Sequence, residues 1–459
     1  MSFFIRPKQS GKNFNKKGSF ESRKRKAPKK PEVNNDEITS SEDESHLNDD
    51  ANRSSSEDEH ETAQEKKIRL AKIYLDEIKK LEQRKIENQT LDDNLRGDLV
   101  QKKLQEDYLS QTGRLKLFVA KKYTGYDENQ IVTLRNNVHK NCITCFCISS
   151  DNKFMFSGSK DGGLIKWSIE EKKKVLGLPF SSKNTESSIV GHSRSIMSIA
   201  ISSDNKFLAV GDETQNIQIW NPVNLKHVHT LKGHRSSVTA LTFRKDTHTL
   251  YSGSKDKAVK VWSLDEMSYV ESVFGHMDMI TSIDSLSKER ALSSGGRDHS
   301  LRIWKFVDES QLIFNGHTGS IDCVKYINEG NFVSGGDDGQ ICVWGMGRKK
   351  PLCSVKVAHG VDSTNGQPLW ITSIATLVNT DLIASGSHDG SIKLWCLEKG
   401  CKNISEMFSI PLTGFVNDLK FTSDGKYLIA AVASEHRYGR WNVIKSAKNS
   451  IVIIPLQKN

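Results

Sequence analysis

No stretch of this 459-residue chain stays apolar for long. A membrane-spanning helix needs about 18 consecutive apolar residues, and the longest candidate is Ile451 to Leu456. No membrane partner is therefore expected. The opening MSFFIRPK has too short an apolar stretch for a secretory signal. Cysteine is scarce, eight residues scattered along the chain, so a disulfide framework is excluded and a reducing compartment, nucleus or cytosol, is favoured. A Walker phosphate loop and a dinucleotide fingerprint are both missing. The first 65 residues have few aromatic or branched apolar side chains, and so cannot offset the entropy of ordering.

What is present is charge in blocks. The net charge of +10 is a sum of unlike parts. Residues 1–35 carry 11 Lys/Arg against 2 Glu, and residues 36–65 carry 12 Asp/Glu against one Arg. Residues 66–126 carry 15 basic and 9 acidic residues, and the remainder 39 and 33. The basic block holds Lys16, Lys17, Arg23, Lys24, Arg25, Lys26, Lys29 and Lys30, with Pro28 and Pro31 keeping it extended. It reads as a nuclear import signal, or else as an electrostatic RNA arm. In the acidic block Ser40, Ser41 and Ser54 to Ser56 precede runs of Asp and Glu, which suits an acidophilic kinase.

From Glu61 the composition turns helical. ETAQEKKIRLAKIYLDEIKKLEQRKIE lacks Gly and Pro, and Thr62 followed by Glu65 is a capping-box pattern. Ile68, Ala71, Leu75 and Ile78 fall on one face, with Leu81 nearby. Leu91, Leu95 and Leu99 suggest a second helix. Docking of the first stripe on the main domain and docking on a partner are equally open.

Length alone suggests about three domains, but an internal repeat replaces that estimate. Trp recurs at 167, 220, 262, 304, 344, 395 and 441. Upstream of each lies a turn pair: Val138-His139, Gly191-His192, Gly233-His234, Gly275-His276, Gly316-His317, Ala358-His359 and Gly414-Phe415. The first four His precede their Trp by 28 residues and the fifth by 27. Between these marks lie short alternating runs, such as Val238 to Phe243, LYSGSKD and VKVW. Four short strands per unit of roughly 40 residues make the WD40 propeller blade. The expected fold is all-β, a seven-bladed WD40 β-propeller over 127–459, preceded by a disordered charged tail over 1–60 and an amphipathic helical arm over 61–126. None of the blade Trp is followed by Asp, so the spacing carries the argument.

In this fold family a His, a Ser, an Asp and the Trp form one hydrogen-bonded chain within a blade. A buried carboxylate is tolerable only when paired in this way. Counting six residues back from the Trp gives Asp161, Asp256, Asp298, Asp338 and Asp389. Counting ten back gives Ser157, Ser252, Ser294, Ser334 and Ser385. With His139, His234, His276, His317 and His359, and with Trp167, Trp262, Trp304, Trp344 and Trp395, they make five expected networks. Blade two has Val210 and Thr214 at those positions, and blade seven has Ala431, Glu435 and Phe415, so both are expected to lack the network. A hydrolase triad is excluded by number, since a catalytic constellation has no reason to occur five times. His139 with Cys142, Cys145 and Cys147 is better explained by a strand, CITCFCI, than by zinc. No catalytic residue, metal or cofactor is expected.

ETAQEKKIRLAKIYL, GHTGSIDCVKYINE, NTDLIASGSHDGSIKLW, EHRYGRW and the closing KNSIVIIPL together resemble the U3-specific WD40 proteins of the U3 small nucleolar ribonucleoprotein, the RRP9 family. The resemblance covers about Glu61 to Leu456. It implies a non-catalytic protein of the nucleus and nucleolus that binds the box B/C element of U3 snoRNA. It implies as partners a kink-turn-binding core protein, other box C/D ribonucleoprotein core proteins and the small-subunit processome proteins that act on pre-18S rRNA. It also implies a monomer within a large particle. The competing class is a protein-only WD40 adaptor, a ubiquitin-ligase substrate receptor or a histone-tail reader.

In a propeller the Gly-His turn and the Asp turn open on one face. Beside those marks stand Lys140, Lys160, Arg194, Arg235, Lys255 and Arg297, all in blades one to four. Blades five and six have Thr318, Asp337, Gly360 and His388 there. A basic arc of this kind suits a phosphate backbone. Arg437 and Arg440 are a second candidate pair for RNA, with ion pairing inside blade seven as the alternative. Two strands, Ile131 to Leu134 and Ile451 to Leu456, compete to complete the last blade.

Overall fold

The computed structural model describes residues 63–86, 101, 103–109, 116–180, 191–362 and 365–458. The import-like cluster Lys16–Lys30, the acidic serine tract, the Thr62–Glu65 pair and Leu91, Leu95 and Leu99 lie outside the described residues or side chains. The helical reading holds over Ala63–Ile86, on which Ile68, Leu70, Ile73 and Tyr74 are exposed.

The chain from residue 116 onward forms seven antiparallel sheets arranged as blades. Six of them are four-stranded and span residues 143–178, 196–231, 238–274, 282–315, 321–355 and 373–411. Within each, consecutive strands pair in order, as short turns require. The first strand of every blade packs beside the first strands of its neighbours, and Phe415–Phe421 meets Ile143–Ile148 to close the ring.

The seventh blade settles the competition between the terminal strands by using both. Phe415–Phe421 and Tyr427–Ala433 pair with each other, and Ser450–Lys458 follows as the third strand. On its outer edge Ser450–Lys458 accepts Val132–Leu134 and, beyond it, Tyr123–Tyr126. Neither terminal strand is left with a bare edge facing the other. Residues 117–126, expected in the arm, therefore pack on the propeller. Val119 N–H and Ala120 N–H donate to Asp381 at 2.8 and 2.9 Å, and the Tyr123 hydroxyl donates to Gly425 O at 2.9 Å.

The core lies between blades. Among the described residues the buried apolar side chains form seven clusters, each shared by consecutive blades. Each repeat Trp from 167 to 395 packs in the cluster joining its own blade to the preceding one. Close approach demands glycine beside the network serine. A Cβ on Gly253 would lie 2.5 Å from Ile280 Cγ2, and one on Gly158 2.6 Å from Ile196 Cγ2.

A ring of hydroxyl contacts ties first strand to first strand. The Oγ1 atoms of Thr144, Thr281 and Thr372 donate across the blade boundary to Ile196 O, Ile321 O and Val416 O, each at 2.6 Å. Thr239 does the same to Ile280 O, and Asn417 Nδ2 donates to Ile143 O at 3.0 Å. The signal was in the sequence as Ile-Thr or Val-Thr at residues 143, 238, 280 and 371. Blade two has Met197 in that place and blade five has Asp322.

Candidate nucleic-acid interface

The struts that shape the turn face come first. In blade three Trp262 Nε1–H donates to Ser252 Oγ at 2.8 Å, Ser252 meets His234 Nε2 at 2.7 Å, and His234 Nδ1 meets Asp256 Oδ2 at 2.9 Å. Indole nitrogen can only donate, so the serine proton must go to Nε2, and Nδ1–H must donate to the carboxylate. Burial would raise the Asp256 pKa, but the His234 hydrogen bond and the N–H groups of Arg235 and Ala258 outweigh it and hold it at about 2. Blades five and six repeat the arrangement through His317, Ser334, Asp338 and Trp344, and through His359, Ser385, Asp389 and Trp395.

Three blades depart from the expected networks. In blade four the serine is Ser293, not Ser294: His276 Nε2 lies 2.7 Å and Trp304 Nε1 2.8 Å from Ser293 Oγ. The blade-four turn has one extra residue, Gly296 with φ of +46°, so a count back from the Trp slips by one. Ser294 faces the other way and meets Thr281 Oγ1 at 2.8 Å. In blade one His139 and Trp167 both reach Ser157, but Asp161 accepts from Asn141 N–H at 2.6 Å instead of from the ring. His139 Nδ1 has no hydrogen-bond partner among the described residues. Burial pushes the pKa of that ring down to about 3. Blade two was expected to lack the network and has half of it. Asp212, at the end of the second strand, bonds His192 Nδ1 at 3.0 Å and accepts from Thr214 N–H at 2.8 Å. With Val210 in the serine place, the buried Trp220 Nε1 and His192 Nε2 have no hydrogen-bond partner among the described residues.

Blade seven lacks the network, as expected, but Trp441 is not its strand Trp. Ile454 stands opposite Leu428, where the other blades have their Trp, and Trp441 is 57% exposed in the loop before Ser450. The carboxylate of that blade, Glu435, is buried and holds two cations, Lys160 Nζ at 3.0 Å and Arg440 Nε at 2.8 Å.

These contacts divide the eight RNA candidates. Lys140, Arg194, Arg235, Lys255 and Arg297 are exposed. Lys140 and Arg194 line a depression of about 690 Å³ with Phe180, and Arg194 and Lys255 line a second of about 450 Å³ with Ser236 and Ser237. Lys160 does not belong with them: its Nζ is committed to Glu435 and to His436 O at 2.8 Å, across the junction of blades one and seven. Arg440 is ion-paired with its side chain 68% exposed. Arg437 is turned inward. Its Nη2 donates to Asp322 O at 2.8 Å, its guanidinium lies 4.7 Å from the Tyr438 ring centroid, and the Tyr438 hydroxyl donates to Thr281 O at 3.1 Å. One loop of blade seven thus reaches blades four and five, and Arg437 becomes part of the lining of the central channel. Arg437 also supplies positive charge to Asp322, the residue that replaces a ring threonine in blade five. Burial raises the Asp322 carboxyl to about 7 despite that charge.

Six segments match the family described as WD domain, G-beta repeat: 129–168, 183–221, 225–263, 267–305, 308–345 and 360–396. U3 small nucleolar RNA-interacting protein 2 of Homo sapiens is 49% identical over 400 residues, 87% of this chain and 83% of that protein. This chain belongs to that family. Ribosomal RNA-processing protein 9 of Saccharomyces cerevisiae, another relative, is 27% identical over 92% of this chain and 95% of its own. A solved structure described as the crystal structure of RRP9 WD40 repeats superposes with a TM-score of 0.70 at 45% identity, over 73% of this chain and all of that one. The six family segments leave out blade seven, whose third strand comes from the C-terminus and carries no Trp.

Proposed function

We propose that this protein is a non-catalytic RNA-binding scaffold of the U3 small nucleolar ribonucleoprotein. It binds the box B/C element of U3 snoRNA and acts in the small-subunit processome during pre-18S rRNA processing, in the nucleolus. The observation that carries this reading is the 49% identity, over most of the chain, to a protein named for its interaction with U3 small nucleolar RNA. The exposed cations Lys140, Arg194, Arg235, Lys255 and Arg297 support it, because a row of exposed positive charges on a rigid ring suits a phosphate backbone. The repeated Ser–His–Asp groups are bonded to buried Trp within the blades, which supports a structural role and leaves them no open hydroxyl for chemistry. A kink-turn-binding core protein and other box C/D core proteins are the protein partners of this reading, and the basic block at Lys16–Lys30 is its import signal.

The test is binding of full-length protein to box B/C RNA across a salt series, for wild type and for the variant R235E/K255E/R297E. The expected result is weaker binding and a salt slope reduced by about one for each cation that touches a phosphate. Equal affinity and slope for the two proteins would overturn the arc. An adaptor that binds only proteins would survive RNase treatment in all its associations from nuclear extract, and this protein is expected to lose its U3-dependent ones.

A further inference from the structure

The outer wall between blades three and four carries a groove of about 290 Å³ that is chemically unlike the turn face. Blade three contributes Glu271 and Phe274 from its outermost strand, Ser268–Phe274. Blade four contributes Trp304, Lys305, Phe306 and Glu309 from the end of its third strand and the turn that follows. That turn opens on the face opposite the Gly-His and Asp turns, because successive strands of a blade are antiparallel. Phe274 is 68% exposed.

The groove has carboxylates to spare. Lys305 is ion-paired with Asp308 at 3.2 Å, and Arg244 with Glu289 at 3.7 Å. Neither Glu271 nor Glu309 has an ion-pair partner among the described residues. Burial raises the Glu271 pKa, and the charges of Glu309 and Glu289 raise it further. A buried hydroxyl lies beneath these carboxylates. Tyr251 is fully buried, and its hydroxyl has no hydrogen-bond partner among the described residues. Tyr251, Val261 and Glu271 stand side by side on adjacent strands, so their side chains share the face toward blade four. The Tyr251 ring stacks on Phe306 with centroids 5.0 Å apart, and its hydroxyl feels the charges of Arg244, Glu289 and Glu271. A folded protein seldom leaves such a group unserved.

We propose that this groove binds an arginine of an extended basic segment on a partner protein, with the guanidinium between Glu271 and Glu309 and its aliphatic stem against Phe274 and Phe306. A guanidinium so held brings an N–H donor toward the Tyr251 hydroxyl. Its planar fork can serve two carboxylates and a hydroxyl together, which an ammonium, a point charge, cannot match. The aromatic walls add attraction for a cation. Carboxylates repel phosphate, so this groove disfavours the nucleic acid that the basic arc favours. The chain's own basic block holds Arg23 and Arg25, but 12 Asp/Glu in residues 36–65 follow it as a nearer counter-charge. The site lies on the face opposite the arc and does not depend on the RNA reading.

The test uses full-length protein and a short fluorescein-labelled peptide of alternating arginine and glycine, with citrulline and lysine versions beside it. Wild type is expected to bind the arginine peptide saturably. E271Q/E309Q is expected to bind it about ten- to a hundredfold more weakly, the range of charge-assisted hydrogen bonds, and Y251F about two- to tenfold more weakly, the range of one neutral bond. The citrulline peptide, alike in shape but uncharged, is expected to bind wild type as weakly as the arginine peptide binds E271Q/E309Q, with the lysine peptide in between. Melting temperatures of both variants at or above that of wild type exclude misfolding, since one relieves repulsion and the other removes an unserved hydroxyl. Equal binding of the arginine peptide by wild type and E271Q/E309Q, the result if residues 36–65 alone capture it, would overturn the proposal. So would a deletion of residues 1–35 that raises peptide affinity in wild type but not in E271Q/E309Q, since the occupant is then this chain's own basic block.

Discussion

Val210→Ser should stabilise the protein, which is an unusual expectation for a polar substitution at a fully buried site. Val210 lies opposite Ile199 and Gln218, the place that Ser252 holds in blade three opposite Leu241 and Lys260. The groups a serine would serve are already present and unserved. Trp220 Nε1 and His192 Nε2 are buried with no partner among the described residues, and their rings are 5.6 Å apart, against 6.2 Å for the bonded pair in blade three. His192 Nδ1 is bonded to Asp212, so Nε2 is free to accept a serine proton. Leaving a buried polar group unpaired costs about 1–3 kcal/mol, and two are repaired together. Against this, serine keeps the volume of one methyl and loses the other, a cost of about 1–2 kcal/mol with its cavity. At mid-range the net gain is about 2 kcal/mol, seen as a rise of a few degrees in melting temperature or a higher urea midpoint at unchanged m-value. Val210→Ala, which loses the methyls and supplies no hydroxyl, should be destabilised by about 1–3 kcal/mol. The decisive comparison is in a Trp220→Phe background, where the benefit of serine should fall by about half. A Val210→Ser protein no more stable than Val210→Ala would refute the account of the strut.

Other expectations follow from the same contacts. Ser293→Ala should cost about 2–4 kcal/mol by stranding both Trp304 and His276, and Ser294→Ala only about 1 kcal/mol, since Thr281 keeps its bond to Ile321 O; urea denaturation of the two variants checks the order. Arg437→Ala should destabilise by about 1–3 kcal/mol, because it leaves the buried Asp322 carbonyl without its donor and strips the cation from the Tyr438 ring; no measurable loss in chemical denaturation would count against that role. Acidification should also destabilise the fold. Burial lowers His139 and His436 to about 3, so the unfolded chain binds more protons than the folded one from about pH 6.5 down to about 3, and stability falls with pH through that window. Asp322, raised to about 7, opposes this above pH 4. Two histidines against one carboxylate leave a net loss of about 2–3 kcal/mol between pH 6.5 and 4.5, and a flat or rising urea midpoint over that interval would contradict the assignment.

The repeat was legible because six blades keep one Trp on the third strand, in five of them 27 or 28 residues after the turn His. The same ruler failed wherever a turn changed length or a residue changed strand. Gly296 displaced the blade-four serine by one, and Asp212 supplied the blade-two carboxylate from the end of a strand rather than from the turn. Trp441 kept approximate spacing while its blade drew its third strand from elsewhere. Spacing also says nothing about charge partners distant in sequence, which is why Lys160 and Arg437 read as free cations until the buried Glu435 and the Asp322 carbonyl came beside them. The ring threonines were visible as a recurrent Ile-Thr or Val-Thr, but their role appears only once first strands are neighbours.

The seventh blade also sets a timetable. Its third strand is residues 450–458, and Val132–Leu134 can pair only with that strand. During synthesis six blades can form in turn while the first and the unfinished seventh stand apart. The clasp fastens only after residues 450–458 have left the ribosome. Loss of residues 450–458 alone would therefore leave both Val132–Leu134 and Tyr123–Tyr126 without a strand to bind. Closure of the ring thus depends on strand pairings between segments far apart along the chain.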